Sequence, residues 1–105
     1  MSTRLQQLQE MLKSEPGDSF LNYALALEYA NSNEIQKAIG LIENLLHQDS
    51  NYLGAYYQLG KYYEQVNEQG KAITTYQNGI SVAKAQNNKK AESELSEALL
   101  ILNEE

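Results

Sequence analysis

Residues 25–39 read LALEYANSNEIQKAI, and residues 59–73, 34 positions further on, read LGKYYEQVNEQGKAI. At this offset Leu25 falls on Leu59, Ala26 on Gly60, Tyr29 on Tyr63, Asn33 on Asn67, Lys37 on Lys71, Ala38 on Ala72 and Ile39 on Ile73. The offset also reaches backwards. Leu5 lines up with Ile39 and Ile73, Leu8 with Ile42 and Tyr76, and Leu12 with Leu46 and Ile80. Apolar falls on apolar, and small on small at Ala26/Gly60 and Ala38/Ala72. A helical bundle without a repeat would match some apolar positions by chance. It would not also keep the small residues and the inter-helix Asn in step.

Within each unit the period is helical. Leu21, Leu25 and Tyr29 follow at spacings of four, and Ile35, Ala38, Ile39, Ile42, Leu45 and Leu46 form a second stripe. Asp18 stands at an expected N-cap, Asn33 with Gln36 has the spacing of a capping box, and Asn67 repeats that cap. Pro16-Gly17 and Asp49-Ser50-Asn51 punctuate the chain between units. Helices are predicted over 3–14, 19–31, 34–48, 52–66, 68–86 and 88–103.

A 34-residue helix–turn–helix unit with these residues in this order resembles the tetratricopeptide repeat. Tyr56, Leu59, Gly60, Tyr63, Ala72 and Tyr76 fit the pattern in one unit, and Leu25, Ala26, Tyr29, Ala38 and Ile42 in the other. Asn22 stands where an aromatic is usual, Ser50 where Pro is usual, and Gly79 where Ala is usual. The resemblance implies an all-α fold, a right-handed α-solenoid of antiparallel helix hairpins. It predicts a single domain over 1–105, with an N-terminal half-repeat helix at 3–14, repeats at 19–51 and 53–86, and a C-terminal capping helix at 88–103. The last segment departs from the pattern, with Ser93, Glu94 and Glu97 on the Leu, small and Tyr positions. Independently of the family, Gly60 and Ala72 let two helices approach closely, and each hairpin leaves an apolar face that a neighbour must cover. Arg4 stands where later units have Ala38 and Ala72, so the first helix reads as a solubilising end cap.

Composition narrows the function. The chain has 105 residues, a formal net charge of −6 and no cysteine. One core is expected, without disulfides or thiolate chemistry. The acidic balance and the lack of a basic run argue against nucleic acid and against an acidic membrane surface. The amino terminus lacks a secretory pattern and no window has the apolar length of a membrane span, so a cytoplasmic protein is expected.

Catalytic chemistry finds little support. His47, with Glu43 and Asp49 nearby, lacks the four ligands of structural zinc and any nucleophile to activate. The glycines are scattered singly, so no phosphate loop is expected. Glu92, Glu94 and Glu97 lack the geometry of a calcium loop and read as a solvated face. No enzyme, metal or other cofactor is expected.

Eight tyrosines are the distinctive feature. The repeat assigns Tyr29, Tyr63 and Tyr76 to the core and Tyr56 to the space between paired helices. The resemblance implies a concave groove lined by the first helix of each unit, here Phe20, Tyr23, Leu27, Tyr57, Lys61, Glu64 and Gln65. Aromatic residues with a polar tip suit a binding surface. In the family it resembles, members that clamp a peptide's terminal carboxylate place Lys and Asn on groove-facing turns in successive units. Tyr23 and Leu27 occupy two of those positions, and Lys61 alone cannot build that cradle. The expected function is a non-enzymatic interaction module or adaptor that binds a peptide or partner helix. The alternative is a self-assembly unit, a possible homodimer, that uses its end helices. Leu100 and Ile101 lie off the stripe of Ala91, Leu95, Ala98, Leu99 and Leu102 and could form its edge. The repeat register has a direct test. Ala72→Leu should overpack a tight crossing and cost about 1–3 kcal/mol, while Lys71→Ala stays near zero. Equal thermal shifts for the two variants would show that the register is wrong.

Overall fold

The computed structural model describes residues 3–104. It contains helices α1 (Arg4–Ser14), α2 (Ser19–Asn31), α3 (Ile35–Gln48), α4 (Leu53–Gln65), α5 (Gln69–Ala85) and α6 (Lys89–Asn103), and no strand among the described residues. The fold is all-α, and every helix end lies within one residue of its expected position. The chain divides into two compact units, one ending at Asp49 and one beginning at Ser50. In the first, α2 packs against α1 and α3. In the second, α5 packs against α4 and α6, and α6 also reaches α4.

In the first unit the core is built on Leu8, Leu21, Ala24 and Leu25, with Leu5, Leu12, Tyr29 and Leu41 packed against it. Side chains cap the starts of α1 and α2. Thr3 and Gln6 form a reciprocal capping box on α1, and Asp18 accepts from the Leu21 N–H at 2.8 Å as expected. Arg4 stays exposed and pairs with Glu28 of α2 at 3.5 Å. Asn22, the apparent departure from the repeat, has a clear role. Its side-chain amide donates to the Pro16 carbonyl at 3.1 Å. Its counterpart Tyr56 donates through its hydroxyl to the Ser50 carbonyl at 2.7 Å. Pro16 and Ser50 are themselves 34 residues apart, so an amide and a phenol tie down the same turn.

The turns correct one expectation. Asn33 and Asn67 are not N-caps. Glu34 and Glu68 occupy the N-cap positions of α3 and α5, without a capping side-chain bond. Asn33 and Asn67 instead adopt left-handed backbone, at φ 64° and 62°, and close the preceding helices. The Asn33 N–H donates to the Ala30 carbonyl and the Glu34 N–H to the Tyr29 carbonyl; Asn67 and Glu68 repeat this on Glu64 and Tyr63. This is the Schellman closure, and Asn is the non-glycine residue best suited to it. The motif returns a third time at Asn87 (φ 57°), between α5 and α6. By the 34-residue offset alone, α5 would end at Val82, with Ala83 as the counterpart of the Asp49 cap of α3. The good helix formers Ala83, Lys84 and Ala85 carry it on to 85. The segment 88–103 is therefore joined to α5 by the turn type that joins α4 to α5.

The second unit is organised around two glycines of α4 and α5. A Cβ added to Gly60 would clash with the edge of the Tyr76 ring, which is fully buried. One added to Gly79 would come within 2.7 Å of the Tyr56 Cβ and 3.0 Å of the Leu95 Cδ1. Gly79 thus brings α4 and α6 close to α5. The counterparts of Gly60 and Tyr76 are Ala26 and Ile42, also fully buried, so a methyl gained at one position matches a ring lost at the other. Thr75, also buried, donates its hydroxyl back to the Lys71 carbonyl at 2.7 Å. Gly60→Ala should destabilise the protein by about 1–3 kcal/mol. In a Tyr76→Ile background, which recreates the Ala26/Ile42 combination, the same substitution should cost little or nothing. Urea denaturation of the four proteins measures the coupling, and a cost unchanged by the background would refute the contact.

Candidate functional site

Along α4, the buried side is formed by Ala55, Tyr56, Leu59, Gly60, Tyr62 and Tyr63. On another side Tyr57, Lys61 and Glu64 follow one helical turn apart, with Gln65 next to Glu64. Tyr57 is 36% exposed. The Lys61 ammonium lies 5.4 Å from the centre of the Tyr57 ring and 3.9 Å from Glu64 Oε2. The Tyr57 ring also meets that of Tyr76 at 6.4 Å between centroids, tilted by 50°. Beneath them the Tyr76 hydroxyl donates to Glu64 Oε2. Burial first, and then the hydrogen bond to the negative Glu64, hold the Tyr76 hydroxyl far above the usual tyrosine range. It therefore stays a protonated donor, and the Glu64 carboxylate is fixed in place.

The other expected groove residues lie on α2. Tyr23 and Leu27 are half-buried, one turn apart. Phe20 is 62% exposed and borders a shallow pocket with Met11, Ser14, Glu15, Asp18 and Leu21. Phe20, Tyr23 and Leu27 follow at helical spacing along α2, and Phe20 also borders the pocket with Met11 of α1. On α4 the structure links Tyr57, Lys61 and Glu64, while Gln65 is exposed beside them.

Two tyrosines carry more than the repeat suggested. Tyr76 was expected to serve packing alone, yet its hydroxyl orients Glu64. The signal lay in its counterpart Ile42, since a buried phenol in place of an alkyl group needs a polar partner. Tyr62 is buried although its counterpart is the charged Glu28. Its spacing from Ala55, Leu59 and Val66, not the repeat offset, reveals it. Tyr29 and Tyr63 share another feature, since Lys37 and Lys71 lie over their rings at 5.4 and 5.7 Å.

His47 is exposed in the last turn of α3. Among the described residues no cluster of three or more His, Cys, Asp or Glu could hold a metal ion, and no helix is long and apolar enough to cross a membrane.

A tetratricopeptide repeat domain protein from Salinibacter ruber, solved in solution, is 41% identical to this chain. The match covers 84% of this chain and 89% of that one, with a TM-score of 0.81. The chain belongs to the tetratricopeptide repeat family. A crystal structure of the Salinibacter domain agrees, with a TM-score of 0.78 over 82% of this chain and 96% of that one at 41% identity. The fold is also that of the TPR2B domain of yeast Sti1, solved in complex with pHsp70, at 20% identity. That match has a TM-score of 0.87 over 95% of this chain and 80% of that one. No family model matches the sequence, and no curated protein matches it.

Within this tetratricopeptide repeat protein the Tyr76–Glu64 bond has a pH signature. Below the ordinary tyrosine pKa of 10.0, folded and unfolded chains both hold the Tyr76 proton and the stabilisation is complete. Above it the unfolded chain ionises first, so stability falls as pH rises. Between about pH 10 and 11 the wild type should lose up to about 1.4 kcal/mol per pH unit more than Tyr76→Phe. Parallel pH profiles in urea titrations of the two proteins would show that the hydroxyl is not held in this way.

Proposed function

We propose that this protein is a non-enzymatic interaction module that holds a peptide or a helix of another protein. The observation that carries the reading is the Tyr57–Lys61–Glu64 set on α4, an aromatic face and a carboxylate both in contact with Tyr76 beneath, with the Lys61 charge beside them, open to solvent. A rigid ring with a polar rim suits a central anchor of an interface. Phe20, Tyr23 and Leu27 on α2 are the second set with which the partner is proposed to engage. Support comes also from the yeast Sti1 TPR2B domain, whose structure is a complex with pHsp70. The structure of Yersinia enterocolitica SycD, a translocator chaperone with a TM-score of 0.85 and 13% identity, shares the fold. A terminal carboxylate is a poor candidate for the ligand of α4. Lys61 is its one groove cation, and it already faces Glu64 and Tyr57.

A second reading, self-association through the end helices, draws on Leu100 and Ile101, which are 60% and 52% exposed on α6. The two readings separate in one set of measurements. With a peptide recovered by selection against the protein, Tyr57→Ala should weaken binding by about 1–3 kcal/mol and leave the melting temperature nearly unchanged. Lys61→Ala should act on association rate and salt dependence. A lower melting temperature with unchanged affinity per folded molecule would put self-association first, and a mass that grows with concentration in light scattering would confirm that order.

A further inference from the structure

Beside Glu64 the second unit has a small pocket of about 190 Å³, lined by Glu64 at the end of α4, Asn67 in the turn, Gln69 at the start of α5 and Leu102 of α6. Its size is below the roughly 300–1,000 Å³ of small-molecule sites, and it suits the end of one long side chain. The fold does not require its polar lining. The counterparts of Glu64, Asn67 and Gln69 in the first unit are Ala30, Asn33 and Ile35, and the same turn forms there. Only the Asn serves the backbone. Glu64 and Gln69 are polar where the repeat accepts alkyl groups.

The charge of the pocket is set by Glu64. Tyr76 and Lys61 both approach Oε2, and neither of these contacts involves Oε1. The Lys61 contact, at 3.9 Å between partly exposed groups, is a weak competitor. The end of α4 and the start of α5 bring opposite dipole ends to the turn, and these largely offset. A carboxylate and two side-chain amides remain, in a chain of formal charge −6.

We propose that this pocket receives a positively charged side chain of the bound partner, an arginine or a lysine. Glu64 is its anionic ligand, the carbonyl oxygens of Asn67 and Gln69 are neutral acceptors, and Leu102 packs against its methylenes. The inference rests on the interaction reading above and names the chemistry that reading leaves open. Guanidinium fits best, since two parallel hydrogen bonds to a fixed carboxylate outcompete a single long ion pair.

The probe is N-acetyl-arginine amide, titrated into the isotopically labelled protein at low salt and followed by NMR. The control is N-acetyl-citrulline amide, which has nearly the same shape without the charge. Arginine should shift the amide signals of Asn67, Gln69 and Leu102 together, with citrulline about tenfold weaker and Glu64→Gln reducing arginine to that level. Asn67→Gly keeps the left-handed turn and deletes one acceptor, so it serves if Glu64→Gln proves unstable. It should weaken arginine several-fold with the melting temperature unchanged. Equal shifts by arginine and citrulline, or arginine affinity unaltered in a folded variant, would overturn the proposal. Loss of the arginine preference while a recovered peptide still depends on Tyr57 removes this pocket alone. The reverse pattern removes the wider interaction reading and leaves the pocket standing.

Discussion

The absence of a side chain at Gly60 is the constraint around which the second unit is built. The ring of Tyr76 occupies the space that a Cβ would take, which sets the distance between α4 and α5. The same ring lies against Tyr57, and its hydroxyl positions Glu64. A packing decision and a surface decision are therefore made by one residue. In the first unit Ala26 and Ile42 meet the packing need without any polar group, and no carboxylate stands at Ala30 to be oriented. The two units share a backbone plan and differ in what the paired helices present to solvent.

The repeat made the fold legible before any coordinates. Leu25/Leu59, Ala38/Ala72 and Tyr29/Tyr63 locate both hairpins, because apolar period and small-residue register agree. The misreading of Asn33 and Asn67 also has a physical cause. An N-cap and a left-handed helix end both favour Asn, and in a tight helix–turn–helix the two positions are adjacent. Residue type alone cannot decide which backbone group the chain will satisfy. The end of α5 was readable, since Ala83-Lys84-Ala85 offers no stop where Asp49-Ser50-Asn51 does.

The candidate site was legible in composition and only partly in geometry. Tyr57, Lys61 and Glu64 follow from helical spacing once the core stripe of α4 is known. The pocket beside Phe20 does not, because Met11 reaches it only through the way α1 meets α2. Asn22 looked like a lost aromatic. Its role shows that the repeat had retained a hydrogen bond to the turn while the ring was replaced. A family pattern written in residue types records the ring and misses the bond.

The shared turn at Asn67 and Asn87 has a kinetic consequence. Helix α5 is joined to a neighbour at each end by a short connection of the same geometry. Both pairings are local in sequence, so the loop-closure entropy for each is small. Either hairpin can form first and serve as the template on which the third helix docks, and Gly79, close to both Tyr56 and Leu95, is the point where the two routes converge. The second unit thus consists of two locally closed hairpins that share one central helix.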